Sequence, residues 1–403
     1  MDISEFYMSR CLELAAHGRG SVAPNPMVGA ALVLDDDISG GGFRDRAGKE
    51  RAARAGVIIG EGFRDRAGVI IGEGFHRCFG EAHAEANAIF AVKDEALLRR
   101  STLYVNLEPC SHYGKNPSCA ELIIRKAIPR VVVACLDPNP KVAGRGIKMM
   151  RDAGVDVKMG VREREAIRLN RFFMTAHQRH RPYIILKWAQ SEDGFLDRKR
   201  KDASEKPVVF SNEVTRMMSH QLRSEVQAIM VGTNTAVLDN PELTVRYWPG
   251  KSPIRILVDR NLRVPQGYRL LDGCHPTFVF TKRTDKRLTE KEDKRLSEGL
   301  AETVIFPLDT GSPLAEITAV LYQNEVYSLL VEGGAQLHRS FLEENLWDEI
   351  IVETAPVQLK DGVKSAFSSI GEHIQLAERQ YVYSGKSSKE KPSVIERFFN
   401  YNF

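Results

Sequence analysis

The chain has 403 residues, 43% hydrophobic and 27% charged, which is the composition of a globular protein and, at roughly 100–200 residues per domain, room for two domains. Lys and Arg number 57 against 53 Asp and Glu, a net charge of +4, a mild excess that points to a nucleic-acid partner only if its distribution along the chain supports one. There is no run near the roughly 20 apolar residues of a membrane span and no secretory signal at the start, and six cysteines are too sparse for a disulfide framework; a cytoplasmic location and no membrane partner are expected.

Apolar residues Phe6, Tyr7, Cys11, Leu14 and Ala15 recur at helical spacing, so residues 4–17 predict a helix that Gly18 and Gly20 stop. Met27 to Leu34 is a short apolar run expected as a buried strand. A local repeat comes next. Ile38-Ser-Gly-Gly-Gly-Phe-Arg-Asp-Arg-Ala-Gly48 returns as Ile58-Ile-Gly-Glu-Gly-Phe-Arg-Asp-Arg-Ala-Gly68, and a third version begins at Ile70 and runs into His76. Its spacings of 20 and 12 residues are too irregular for a solenoid and read as a duplication between two strands. Between Arg44 and Arg66 it holds seven basic residues against four acidic, +3 of the chain's +4. Residues 36–67 are expected to form an inserted loop, with only the copy ahead of His76 pairing beside Met27–Leu34.

Helix and strand signals then alternate. Ala82–Val92 predicts a helix, Thr102–Leu107 a strand, Ser118–Ala127 a helix and Arg130–Leu136 a strand. A helix near Gly146–Ala153 and a strand near Val155–Met159 come after them, as in an α/β layered domain. Val161–His180, rich in arginine, is expected to hold a helix leading into a linker. The first domain is therefore placed at 1–175 and the second at 182–403. Strands are predicted at Tyr183–Ala189, Ala228–Gly232, Ile254–Asp259, Thr277–Thr281 and Tyr327–Glu332, and helices at Glu213–Ser224, Asp285–Ser297 and Ala335–Glu344. The cysteines other than Cys110 and Cys119 are expected to be buried apolar filler.

The strongest chemical signal is His83-Ala84-Glu85 followed by Glu108-Pro109-Cys110 and then Cys119. One histidine and two cysteines supply three zinc ligands and leave a fourth position for water, which marks a catalytic rather than a structural zinc. Glu85 can shuttle a proton from that water to a departing amine without binding the metal. His-x-Glu followed by Pro-Cys and a second Cys is the pattern of zinc deaminases. Eight residues separate the two cysteines, where nucleic-acid and cytidine deaminases usually have two. The longer loop would place His112 and Lys115 over the pocket, which suits a small phosphorylated substrate.

No Gly-x-Gly-x-x-Gly occurs, so a Rossmann dinucleotide site has no support. Ser384-Gly-Lys-Ser387 imitates the end of a phosphate loop, but Gln380 stands where its first glycine belongs. Read alone, Ala189-Gln-Ser-Glu-Asp-Gly194, Gly232–Arg246 and Val331-Glu-Gly-Gly-Ala335 are turns that could also bind phosphate through backbone N–H groups.

Together with Ala23-Pro-Asn-Pro-Met-Val-Gly29, Gly72-Glu-Gly-Phe-His76 and Gly80-Glu-Ala-His-Ala-Glu85, these stretches resemble the RibD family of bifunctional riboflavin biosynthesis proteins, a pyrimidine deaminase fused to a reductase. The resemblance implies an α/β protein: a cytidine-deaminase-like three-layer domain, then a domain resembling dihydrofolate reductase. It implies Zn2+ on His83, Cys110 and Cys119, Glu85 as catalytic proton shuttle, and substrate contacts from Asn25, His76, His112 and Lys115. In the second domain it implies NADPH contacts from Ala189, Thr235, Asp239, Arg260 and Gly334, and substrate contacts from Arg223, Leu243, Arg246 and Glu332. The chain departs from the family at the duplication and at Lys206-Pro-Val208, where relatives often carry Ser-x-Trp. The expected partner is a small phosphorylated pyrimidine, with no nucleic acid, and a homo-oligomer is expected. Two other readings are a zinc-dependent nucleoside or RNA deaminase with an accessory domain, and a nucleic-acid binder using the basic segment 44–66.

Overall fold

The computed structural model describes residues 2–34, 68–111, 118–140, 142–282, 303–308, 311–366, 376–384 and 391–400. The first two copies of the repeat, the helix expected over 285–297, the Gly-Lys-Ser stretch at 385–387, and His112 and Lys115 lie outside these residues. The chain divides into two compact units, Met1–Arg179 and His180–Phe403.

In the first unit, helix α1 (Ile3–Ala16) precedes strand β1 (Gly29–Leu34). After β1 come β2 (Val69–Phe75), α2 (Ala84–Ala91), β3 (Ser101–Leu107) and α3 (Cys119–Arg125). Next are β4 (Arg130–Cys135), α4 (Arg145–Asp152), β5 (Asp156–Met159), α5 (Glu163–Leu169) and α6 (Arg171–Arg179). The sheet order is β2-β1-β3-β4-β5. β1 runs antiparallel to both neighbours, and β3, β4 and β5 are parallel. Strand side chains alternate between faces, and β1 shows how both are used. Ala30 and Leu32 join Ala88 and Ile89 of α2, Ile123 of α3 and Met150 of α4 in one core. Ala31 and Val33 join Tyr7, Met8 and Cys11 of α1, Ala166 of α5 and Met174 of α6 in the other. The result is three layers, helices on both faces of one sheet.

The third copy of the repeat is the one paired with β1, from Gly29 opposite Phe75 to Leu34 opposite Val69. Its two glycines have a packing reason. A Cβ on Gly72 would lie 2.4 Å from the Ala88 carbonyl oxygen, and one on Gly74 2.4 Å from the Ala88 nitrogen. Helix α2 therefore rests directly on the strand backbone. Glu73 between them accepts from Arg10 Nε at 2.7 Å and Nη2 at 3.1 Å, tying β2 to α1. Gly74→Ala should push α2 outward and cost about 1–3 kcal/mol, with weakened zinc retention. Urea denaturation and metal analysis check both, and unchanged values would mean that the helix accommodates a methyl group.

Two expectations need correction. Val161–His180 holds two helices rather than one: α5 and α6 meet at Asn170, and α6 runs as far as Arg179. The arginines obscured an inner face on which Met174, Thr175 and Ala176 are buried. Only Cys11 and Cys135 of the supposed filler cysteines are buried; Cys78 is half-buried and Cys274 is exposed.

The second unit opens with β6 (Tyr183–Ser191), β7 (Phe195–Asp197), α7 (Glu213–Glu225), β8 (Ala228–Gly232) and α8 (Thr233–Asp239). It continues with β9 (Ile254–Val258), β10 (Thr277–Thr281), β11 (Thr303–Pro307), α9 (Pro313–Gln323), β12 (Ser328–Gly333) and α10 (Ala335–Glu343). It closes with β13 (Glu349–Ala355), β14 (Val363–Lys364), β15 (Leu376–Val382) and β16 (Ser393–Phe399). Nine strands form one sheet in the order β11-β10-β9-β8-β12-β6-β13-β16-β15, while β7 pairs with β14. All neighbours from β11 to β13 are parallel, and β16 and β15 are antiparallel additions. Ile184, Leu186 and Trp188 of β6 face a core with Val331, Ile350, Phe280, Leu321 of α9 and Phe341 of α10. The intervening residues of β6 and β12, Lys187 and Glu332 among them, turn to the opposite face.

Candidate active sites

In the first unit, three helix and strand ends converge. His83 is the N-cap of α2, Cys119 opens α3 behind the N-cap Ser118, and Cys110 lies just past the end of β3. Cys119 Sγ lies 3.3 Å and Cys110 Sγ 3.6 Å from His83 Nδ1, and the three ligand atoms fall within 4.8 Å of one another. Tetrahedral zinc, with bonds of about 2.0 Å to nitrogen and 2.3 Å to sulfur, sets such atoms about 3.5 Å apart. The residues fit the ion. Hydrogen bonds from the Cys119 thiol and then from His83 hold the Cys110 thiol well below the usual thiol range. The Cys119 backbone N–H also donates to Cys110 Sγ at 3.3 Å.

Glu85, in the first turn of α2, is only 3% exposed. Burial pushes its carboxyl up to about 7, against the pull of the nearby His83. A carboxyl poised near neutrality suits a group that must both take and give a proton.

Asn25 and His76 meet beside this cluster, Asn25 Nδ2 lying 3.2 Å from His76 Nε2. His76 Nδ1 lies 3.2 Å from the Ala82 carbonyl. A carbonyl only accepts, so the proton sits on Nδ1 and Nε2 is left to accept from Asn25. Burial also lowers the His76 pKa, keeping the ring neutral. Glu108, part of the motif but given no role there, supports the site from behind. Its buried carboxylate accepts from the Gly144 N–H at 2.9 Å and the Gly146 N–H at 3.0 Å, seating Pro109-Cys110 against the start of α4.

The second unit gathers its candidates at the carboxyl ends of parallel strands, where open α/β sheets bind ligands. Arg223 of α7 reaches Glu332 of β12, Nη2 to Oε2 at 2.5 Å, and donates to the Thr244 carbonyl at 3.1 Å. Neighbouring Leu243 is buried with φ +57°. Arg246 pairs with Glu242, and its N–H donates to His220 Nδ1 at 3.0 Å. Lys187, one residue beyond the Leu186–Val331 pair, interacts with Glu332 from the next strand. Despite its burial, Glu332 stays below the usual carboxylate range because Arg223 and Lys187 favour its charge. Sequence reading missed Lys187 and His220, since one hides in a strand and the other in a helix without a motif.

The dinucleotide candidates lie on the same rim. Gly334 is the N-cap of α10 with φ +87°, and a Cβ on Gly333 would come 2.9 Å from Thr235 Cγ2. This bare glycine step before a helix N-terminus forms a cradle that fits a phosphate. Ala189 stands near the end of β6 and Arg260 just past β9. Asp239 is not open: Arg200 clamps it in an ion pair and also holds Asp197 at 2.7 Å.

Two buried imidazoles make this unit sensitive to acid. Burial lowers His220 to about 4, with help from Arg223 and Arg246, and burial also lowers His338 to about 4. Both folded values lie below the ordinary 6.5, so below that pH the unfolded chain binds protons that the folded one refuses. Stability should be complete above about 6.5 and fall as pH drops toward 4. Denaturation midpoints for this unit at pH 7 and pH 5 check the sign; equal midpoints would contradict it.

The family model of the cytidine and deoxycytidylate deaminase zinc-binding region matches residues 1–135, and that of the RibD C-terminal domain matches residues 182–382. The chain is 37% identical over 364 residues to the riboflavin biosynthesis protein RibD of Aquifex aeolicus, covering 90% of this chain and 89% of the relative. The chain belongs to the RibD family. The RibD of Escherichia coli K12 is 33% identical over 366 residues, covering 87% of each chain. Among solved structures, a diaminohydroxyphosphoribosylaminopyrimidine deaminase/5-amino-6-(5-phosphoribosylamino)uracil reductase from Thermotoga maritima is 28% identical with TM-score 0.76, covering 99% of both chains. RibD from Acinetobacter baumannii is 28% identical with TM-score 0.77, covering 98% of both. As a RibD family member, the chain is a bifunctional deaminase and reductase of riboflavin biosynthesis, with a zinc-binding deaminase half and an NADPH-dependent reductase half. No helix among the described residues is long and apolar enough to cross a membrane.

Proposed function

We propose that the first unit hydrolyses the 2-amino group of 2,5-diamino-6-ribosylamino-4(3H)-pyrimidinone 5′-phosphate and that the second reduces the ribosyl group of the product. The observation that carries this reading is a buried Glu85 two residues from His83, whose Nδ1 lies 3.3 and 3.6 Å from two cysteine sulfurs. Zinc bound by His83, Cys110 and Cys119 supplies the Lewis acidity that makes water nucleophilic at neutral pH. Glu85 takes the proton from the attacking water and gives it to the leaving nitrogen. A C–O bond forms at C2, the C–N bond breaks, and ammonia departs. Asn25 and neutral His76 orient the pyrimidine, and His112 and Lys115 of the inter-cysteine loop meet its phosphate.

In the second unit NADPH, when bound, supplies two electrons and a hydrogen to C1′ of the sugar. The C1′–O4′ bond opens, the ring oxygen takes a proton, and a ribityl chain results. Ala189, Thr235, Asp239, Arg260 and Gly334 hold the dinucleotide, Asp239 once Arg200 shares it. Arg223, Leu243, Arg246 and Glu332 hold the substrate, with Arg223 fixed by its bond to Glu332. The same reading has the chain working in the cytoplasm as a homo-oligomer, which light scattering tests.

The decisive experiment supplies the purified chain with the diaminopyrimidine phosphate, with and without NADPH. Ammonia should appear in both cases, and NADPH should be consumed only after ammonia release. Consumption of NADPH without prior deamination would overturn the order.

A further inference from the structure

The segment that carries Asn25 into β1 has an unusual support. Asn170, at the junction of α5 and α6, accepts from the Met27 N–H through Oδ1 at 2.8 Å and donates from Nδ2 to the Met27 carbonyl at 2.9 Å. Asn106 of β3 donates from Nδ2 to the same carbonyl at 3.0 Å and accepts from the Gly29 N–H at 2.8 Å. Both asparagines are buried, at 2% and 0% exposure. Each primary amide thus acts as a short strand edge, offering one donor and one acceptor to the backbone. The Met27 carbonyl receives two hydrogen bonds and has both lone pairs used. Helix α1 closes the other side, since a Cβ on Gly29 would lie 2.1 Å from the Cys11 carbonyl oxygen. Two residues upstream of this fixed point, Asn25 meets His76, whose own N–H donates to the Val28 carbonyl at 2.9 Å.

We infer that Asn170 and Asn106 are positioning residues of the deaminase, a clamp that sets where Asn25 and His76 meet the pyrimidine. The inference rests on the reading of Asn25 as a substrate contact. Buried amides satisfied on both ends specify a single geometry, because any shift of the Met27 backbone strands polar atoms without water. Its unexpected member is Asn170, which lies 143 residues from Met27 in the chain, on a segment whose charge pattern reads as an approach to a linker.

The test uses Asn170→Asp, which keeps size but turns the donor facing the Met27 carbonyl into an acceptor, with Asn170→Ala as a gentler variant and Asn25→Ala beside them. In the full-length zinc-loaded chain, Asn170→Asp should lower deaminase kcat/KM by on the order of 10²-fold, the size of effect that about 1 Å of misplacement produces. The loss should come mainly through KM. Zinc content, and NADPH oxidation by the second unit when fed the deaminated pyrimidine, should stay at wild-type levels and so report intact folding. A smaller KM rise in Asn170→Ala with the same retained zinc supports the clamp. If Asn25→Ala raises KM but neither Asn170 variant does, the clamp is wrong and the substrate contact stands. If Asn25→Ala leaves KM unchanged, the substrate contact fails and takes the clamp with it. Loss of zinc and of stability at unchanged KM would make Asn170 a structural residue and overturn the proposal.

Discussion

Glu85→Gln should reduce ammonia release by roughly 10²–10⁴-fold, the usual contribution of a positioned general acid–base group. The glutamine matches the carboxyl in size, and the site's polypeptide neighbours are unchanged: α2 still rests on β2, and His83 remains its N-cap. What disappears is a group that burial brings to about 7, able to accept a proton from water and release it to an amine within one turnover. Zinc per chain should remain near one, and NADPH oxidation by the second unit, fed the deaminated pyrimidine, should be unaffected. An ammonia assay, metal analysis and absorbance at the NADPH band make the three measurements. Ammonia release that survives the substitution would remove Glu85 from the proton path.

The second large effect concerns Arg223. Its guanidinium and the Glu332 carboxylate are 15% and 8% exposed, 2.5 Å apart. Removing one member of a buried pair strands the other, at a typical cost of about 3–5 kcal/mol. Arg223→Met should therefore abolish NADPH-dependent reduction and destabilise the second unit by something near the lower end of that range, since Lys187 still faces Glu332. The double variant Arg223→Met with Glu332→Leu should regain much of the stability and none of the activity, because apolar replacement of both partners removes the stranded charge. Denaturation curves and reductase assays on the three proteins check this. Full stability in the single variant would show that water or Lys187 compensates completely.

What the amino-acid order reveals depends on how local the determinant is. His83, Glu85, Cys110 and Cys119 announce themselves because zinc chemistry restricts both residue type and spacing, and the structure brings the three ligand side chains to one point. The strand–helix alternation of the first unit is similarly plain, since β1 is buried on both faces and reads as an apolar run. The helix pair α5 and α6 is harder to read. Five arginines lie on those two helices or at their flanks, and long charged side chains can cover a buried face while keeping their heads in water. In the second unit β7, β11, β13, β14, β15 and β16 and helices α8 and α9 escape prediction. Strand β15, Leu376–Val382, is an exposed edge with only Val382 buried, so it has no apolar alternation to find. The roles of Lys187, Glu108 and Asn170 are hidden for a different reason. Each acts through partners distant in sequence, and nothing in a residue's own neighbourhood marks that.

The glycines of β2 have a consequence for how the chain finds its fold. Residues 54–63 and 66–75 share an identical ten-residue sequence, Arg-Ala-Gly-Val-Ile-Ile-Gly-Glu-Gly-Phe. Every feature that suits β2 to its place, two glycines beneath α2 and a glutamate for Arg10, is thus encoded twice. Polymer entropy leans slightly toward the earlier copy: closing a loop of roughly 22 rather than 34 residues saves about 0.4 kcal/mol. The choice must then come from the residue just beyond the strand, which is Arg64 after one copy and His76 after the other. Burial of His76 against Asn25 and Ala82 completes only the later pairing. The residue proposed above to meet substrate would therefore also proofread strand pairing, so that a chain with the wrong copy in the slot would be recognisable by the missing His76–Asn25 contact.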